Sequence, residues 1–374
     1  MDCQAMDRAV THGPRRRAGR WAAAVLVAGL ALSAAAIAGA SADRFVPPRG
    51  KIYHGVSDTG KIADFHHFRR QVREHPAVLQ EFFHWDVSLT ASGAVSRWER
   101  TDTLGVVSMS TKAPADGRPD VPPRRIAEGR TDHYLLRINE ILGNLKRRPT
   151  YIRLFAEMNG HWNPYSAFNS NGTRRGDAYS TRNFKRAWKR FVLIVRGGRR
   201  DRINQRLRRN GLPRIYRASR PNDPVYENRD VPRMLDRPKV AFMWVPQTSG
   251  SPNVRGNQPR DYWPGKHFVD WVGADIYSAY QSQFPALVDF FRRYKHFPFV
   301  VGEYSPWNSD PGGSFTDRLL DFAEDHKRVR MLIYYRSVTA DNPYYISHYP
   351  AARTQLRRHL NKRIWKPYAP NQHD

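Results

Sequence analysis

TYIRLFAEMNGHWNPY, residues 150–165, decides how the rest of the chain is read. Its first half is β-branched, aromatic and short, which is the pattern of a buried strand. At Glu157 the run stops and Asn159-Gly160 signals a turn, followed by an aromatic loop. Seven other runs share this form: KIYHGVSD (51–58), LQEFFHWD (79–86), LGVVSMST (104–111), KVAFMWVPQ (239–247), WVGADIY (271–277), FPFVVGEYS (297–305) and VRMLIYYR (329–336). Each closes on a polar or aromatic residue.

Between the runs lie segments of helical period: FHHFRRQVREH, YLLRINEILGNLKR, RNFKRAWKRFVLIV, FPALVDFFRRY and SFTDRLLDFAEDHKR. The last opens with a Ser-x-x-Asp start signal at Ser314. Apolar strands alternating with helices require a parallel sheet covered on its faces, either an open doubly wound sheet or a closed barrel. The count of eight, and the gathering of Asp58, Trp85-Asp86, Glu157, Gln247, Tyr277, Glu303 and Tyr335 at strand C-termini, favour a single (β/α)8 TIM barrel with its site at that mouth. No glycine-rich phosphate loop follows an early strand. One interval breaks the rhythm. Residues 196–238, between the fourth helix and the fifth strand, form an arginine-rich, proline-broken insertion. It reads either as an anion-binding flap or as a solvated excursion tacked down by Ile203 and Leu207.

Hydrophobic residues make up 40% and aromatics 12% of the 374, which excludes a disordered chain or coiled coil. Residues 1–42 stand apart: arginines at 15–17 and 20, an apolar run, then Ala40-Ser41-Ala42. That is the pattern of a signal peptide, or of an uncleaved N-terminal signal anchor, and it places the remainder outside the cytoplasm. The expected organisation is this leader, a linker at 43–50, a catalytic barrel at 51–360 and a tail at 361–374. The only cysteine, Cys3, lies in the leader, so the barrel has no disulfide, thiol nucleophile or cysteine-based zinc site. His66 and His67 lack metal-ligand spacing, and no cofactor is expected. Net charge is +28, or +25 without the leader, which suits a setting of anionic cell-envelope polymer. The charge alone suggests a nucleic-acid binder, but no nucleic-acid module is present.

Three stretches resemble glycoside hydrolase family 26, whose members include endo-β-1,4-mannanases and some lichenases and xylanases. AEMNGHWNPY (156–165) is similar to the fourth-strand motif, YWPGKHFVDWVGADIY (262–277) to the sixth-strand signature and FVVGEYS (299–305) to the seventh-strand segment. The resemblance covers roughly residues 50–345 and implies a monomeric clan A retaining glycosidase acting on polysaccharide, β-mannan first. It makes Glu157 the acid/base, Glu303 the nucleophile and Tyr277 a hydrogen-bond donor to it. Strands four and seven face each other across a barrel mouth, so these glutamates can flank one glycosidic bond, as double displacement requires.

Candidate substrate-binding residues are Asn159, His161, Asp275 and Tyr335, with Trp85, Trp162, Trp244, Tyr165 and Tyr262 as apolar faces for sugar rings. Of these aromatics only Trp162 lies in a loop beyond a strand end. Asn159 can instead hold the turn, and Asp275 can instead form an ion pair. Two departures stand out. Many members carry a histidine where Ala156 precedes the acid/base glutamate, and an asparagine where Gln247 ends the fifth strand. The alternative is a carbohydrate-binding barrel without activity, or with altered specificity, acting on acidic envelope glycans.

Overall fold

The computed structural model describes residues 45–145, 148–215, 231–336 and 342–368; the leader and the middle of the insertion lie outside them. All eight expected strands form. They are β1 (Ile52–Ser57), β2 (Val78–Phe83), β3 (Leu104–Met109), β4 (Thr150–Leu154), β5 (Val240–Trp244), β6 (Trp271–Tyr277), β7 (Phe299–Ser305) and β8 (Val329–Tyr334). Each pairs in parallel with the next, and β8 returns to β1 in the register Tyr53 with Met331 through Val56 with Tyr334. The sheet is a closed barrel, and it has no free edge.

Period-two alternation along these strands builds two apolar clusters. Tyr53, Val106, Tyr151, Met243, Trp271, Val300 and Ile333 belong to the cluster inside the barrel. Their neighbours, among them Val56, Val107, Ile152, Phe242 and Val301, join the shell between sheet and helices. That shell is completed by α1 (Ile62–Val72), α2 (Ala94–Arg100), α3 (Asp132–Asn144), α4 (Thr181–Val195), α5 (Arg200–Arg209), α6 (Phe284–Arg293), α7 (Ser314–Asp325) and α8 (Pro350–Leu360). In α4, Phe184, Trp188, Phe191 and Val195 recur at helical spacing and are all buried, while the Ser180 hydroxyl accepts from the Asn183 amide at 3.3 Å to cap the first turn. No described helix is long and apolar enough to cross a membrane.

Three details differ from the sequence reading. No α-helix follows β5; the chain makes two 3₁₀ turns, Pro259–Tyr262 and Lys266–Phe268, because prolines at 246, 252, 259 and 264 interrupt any longer helix. Helix α7 does begin at Ser314, yet its first amides, on Phe315 and Thr316, are accepted by Asp310 rather than by the serine. The described parts of both terminal segments, 45–50 and 361–368, belong to the fold. Trp365–Lys366 pairs with the start of β1, and Phe45 packs against the interior cluster with its carbonyl accepting from the Tyr151 hydroxyl. His359, fully buried, joins α8 to α7 through Asp317 (2.7 Å) and Glu324 (2.8 Å).

Gly273 sets the spacing of β6 and β7. A Cβ there would lie 2.1 Å from the Val300 carbonyl oxygen, a backbone atom that cannot swing aside. Gly273→Ala is expected to lower stability by about 1–3 kcal/mol or more, the usual penalty of overpacking. Urea denaturation of the variant checks this, and an unchanged midpoint would mean the two strands can part freely.

Candidate active site

The backbone past β4 is held in an unusual turn. Phe155 and Glu157 both have left-handed conformations, φ 45° and 51°, around Ala156. Hydrogen bonds to both neighbouring strands fix it: the Phe155 amide donates to Met109 at 2.9 Å and the Glu157 amide to Val245 at 2.7 Å. From outside, the Tyr165 hydroxyl and the Asn163 amide donate to the Ala156 carbonyl at 2.6 and 3.3 Å. The carboxylate of Glu157 is thus set by backbone bonds on three sides. Its Oε2 accepts from the indole of Trp162 at 2.9 Å, and its Oε1 from the Gln247 side chain.

Across the mouth, Glu303 on β7 is held differently. Its Oε1 accepts from Arg153 at 2.5 Å and its Oε2 from the Tyr277 hydroxyl. Arg153 stands on β4 with its side chain inside the barrel, 1% exposed, and also pairs with Asp275 of β6 and donates to Ser108 at 3.1 Å. Gly302 leaves room for this group, since a Cβ there would approach Arg153 Nε and Asp275 Oδ1 to 2.8 Å each.

The two glutamates open into one cleft of about 540 Å³. Trp162, Gln247 and the segment 248–251 line one side; Tyr277, Tyr280, Trp307, Tyr335 and Tyr344 line the other. The aromatic side is a connected cluster, with ring centroids 4.9–6.1 Å apart along Tyr277–Tyr335, Tyr335–Tyr344, Trp307–Tyr344 and Tyr280–Trp307. No lysine, arginine or histidine lines the cleft among the described residues, and Arg153 lies beneath its floor.

Three carboxyl groups therefore face one guanidinium. Burial, and then repulsion from Glu303, raise the Glu157 pKa above the ordinary carboxyl range. Burial also raises Asp275, against the pull of Arg153. Glu157 is the one of the three that no guanidinium hydrogen-bonds. Burial likewise pushes Tyr277 well up, so its hydroxyl stays a donor to Glu303. The result is one carboxyl poised to give a proton and one clamped by two donors.

Of the residues expected from sequence, Glu157, Trp162, Asp275, Tyr277, Glu303 and Tyr335 meet in this cleft. Trp162 exposes 51% of its surface there, leaving a face free for a ligand. Trp85 and Trp244 do not reach it. Trp85 packs on Tyr134 and Phe155, and Trp244 points outward onto Trp263 and Phe290, because strand parity turns it away from Met243 and Val245. Tyr165 and Tyr262 are also buried. Asn159, fully buried, holds the turn: its side chain donates to the carbonyls of Gln247 and Ser249 and accepts from the Gln247 amide. His161 sits beside the cleft, its amide donating to Ser251 at 2.8 Å. Asp275 is the ion-pair partner of Arg153 at the cleft floor. The sequence reading missed Arg153, although an arginine at an inward position of an apolar strand signals buried carboxylate partners. It also missed Trp307, Tyr280 and Tyr344, which lie in loops without a periodic signal.

No protein-family model matches the sequence, and no curated protein matches it. Solved structures do share the fold. An endo-β-1,4-mannanase double mutant from Cellulomonas fimi superposes with TM-score 0.55 at 15% identity over 85% of this chain and 72% of that one. A family 26 β-mannanase from Bacteroides ovatus gives TM-score 0.54 at 15% identity, covering 86% and 92%. The YdhT protein from Bacillus subtilis gives 0.54 at 14%, covering 88% and 90%. The chain has the barrel fold of the family 26 mannanases.

Arg153→Met strands two buried carboxylates, and it is expected to destabilise the protein by about 3–5 kcal/mol in chemical denaturation. A loss below 1 kcal/mol would mean the cluster is solvated. The raised pKa of Glu157 makes the folded state bind a proton that the unfolded state has released. Its contribution is therefore complete below the ordinary carboxyl pKa and is lost as pH rises through the raised one. Glu157→Gln should flatten that fall in stability, measured as denaturation midpoints from pH 4 to 8.

Proposed function

We propose that the protein is an exported, retaining endo-glycoside hydrolase that cleaves a neutral β-linked polysaccharide, with β-mannan as the leading substrate. The observation that carries this reading is the different setting of two glutamates across one cleft: Glu303 clamped by Arg153 and Tyr277, Glu157 free of any guanidinium bond with its pKa raised by burial. A mannanase-type glycosidase is also what the structural neighbours are described as being.

In the proposed reaction, Glu303 attacks the anomeric carbon while the glycosidic oxygen leaves with the proton of Glu157. Glu157, now a carboxylate, removes a proton from water, whose oxygen displaces Glu303 from the sugar. Arg153 and Tyr277 hold Glu303 aimed, and Trp162 and Gln247 orient Glu157. The aromatic wall offers ring faces to pyranose C–H groups, and a lining without cations among the described residues gives an acidic sugar no partner there. This favours a neutral glycan over the acidic one considered from the net charge. Ala156, 6% exposed, presents only a methyl group where a histidine would reach the sugar, so specificity would rest on the wall of residues 248–251 and on the tyrosines.

Reducing-sugar release from β-mannan, mixed-linkage glucan, xylan and polygalacturonate is the direct test. Release from a neutral member is expected, abolished in Glu303→Ala and reduced about 10²–10⁴-fold in Glu157→Gln. Release that survives both substitutions would sink the assignment. The rate should also fall as pH rises through the raised Glu157 value, because the leaving oxygen needs the protonated acid. Glu303→Gln removes the repelling charge, so carboxyl titration by NMR should find Glu157 shifted down in that variant.

A further inference from the structure

The cleft uses none of the protein's excess positive charge, which raises the question of where that charge is concentrated. The densest stretch is residues 196–214, with eight arginines against one acid, Asp201. Some of these arginines are occupied. Arg196 pairs with Asp270 at 2.7 Å, Arg199 with Asp201 at 2.8 Å, and Arg200 donates to the Val231 carbonyl. Those on α5 differ. Ile203 and Leu207, at 3% and 0% exposure, seat the helix, as the solvated-excursion reading expected. Arg202, Arg206 and Arg209 follow at i, i+4 and i+7, all exposed, and so form one stripe. Arg208 stands exposed beside them. Among the described residues none of these four is in an ion pair with a carboxylate; Arg202 reaches only Gln205, at 3.4 Å.

This stripe is not explained by helix stability, since like charges a turn apart weaken a helix by a few tenths of a kcal/mol each. It lies on the outer flank of the barrel against α4, and no residue of α5 lines the cleft. We infer that the arginine stripe of α5 is a second, non-catalytic binding surface for a polysaccharide bearing carboxylates along its chain. Guanidinium forks match planar carboxylates in pairs, as Arg196 does with both oxygens of Asp270, at 2.8 and 2.7 Å. Side chains repeating about every 5.4 Å along a helix meet successive charged groups on an extended polymer, and a single anion would need only one of them. The choice of a polysaccharide rather than another polyanion rests on the proposed function. A neutral glycan cut in the cleft would be met within an acidic glycan gripped on the flank.

The test is retention of the purified protein on immobilised polygalacturonate, with soluble competitors, beside the hydrolysis assay. Binding is expected, weakening as salt rises from 50 to 300 mM. It should fall at least tenfold in R202S/R206S/R209S, with thermal midpoint and hydrolysis of soluble neutral glycan unchanged. R292S/R293S/K295S removes the same number of charges from another exposed segment and should retain binding. Equal loss in both triple variants would overturn the proposal in favour of net charge alone. Competition by polyphosphate or single-stranded DNA as effective as that by soluble polygalacturonate would overturn the choice of polymer. The binding readout needs no turnover, so failure of the glycosidase reading would show separately, as absent hydrolysis with binding intact.

Discussion

A guanidinium inside a barrel is a constraint on everything around it. Arg153 cannot lose its proton and cannot reach water, so the strands beside it must bring carboxylates. They do so from β6 and β7, with Asp275 and Glu303, while the hydroxyl of Ser108 on β3 takes a further N–H. Gly302 is bare of a side chain because the cluster occupies that volume. Burial of one cation thereby fixes the relative height of four strands, and it fixes Glu303 without any loop. Glu157, by contrast, is placed by backbone geometry, in a left-handed turn pinned to Met109 and Val245. Two glutamates of identical chemistry are thus held in different ways, one by charge and the other by the shape of the turn.

Most of this architecture was legible in the sequence, because strands buried on both faces carry a dense apolar signal and the helices between them carry the helical period. Strand existence was read correctly for all eight; strand ends were not. Glu157 and Gln247 fall beyond the last paired residue of their strands, where the hydrogen-bond ladder gives way to the turn that aims them. Side-chain direction was the weaker inference. The tryptophans at 85 and 244 look identical to a stacking platform in one dimension, and only the parity of the strand or the path of the loop sends them into the shell. Arg153 was visible as a charge in an apolar run, yet its partners lie 122 and 150 residues away, beyond the reach of any local pattern.

The basic composition also acquires a location. Read as a single number, a charge of +28 suggests that the whole molecule seeks anions. The structure divides it: the cleft holds carboxyl groups, aromatics and hydroxyls, while exposed arginines crowd a helix on the outside. A substrate and a surrounding matrix of different charge can be handled by one chain only if such a division exists. Salt would then act on the two surfaces unequally, since exposed arginines are screened and the buried pair of Arg153 with Glu303 is not.

The docking of Phe45 into the lower end of the barrel gives the molecule a direction. Its carbonyl is fastened to Tyr151, on the first inward layer of β4, and the carboxyls of the cleft stand at the other end of the barrel. The backbone therefore enters at the pole opposite the cleft. A change at Phe45 would therefore reach the cleft only through the packed layers between them, as a footing bears on a roof only through its walls.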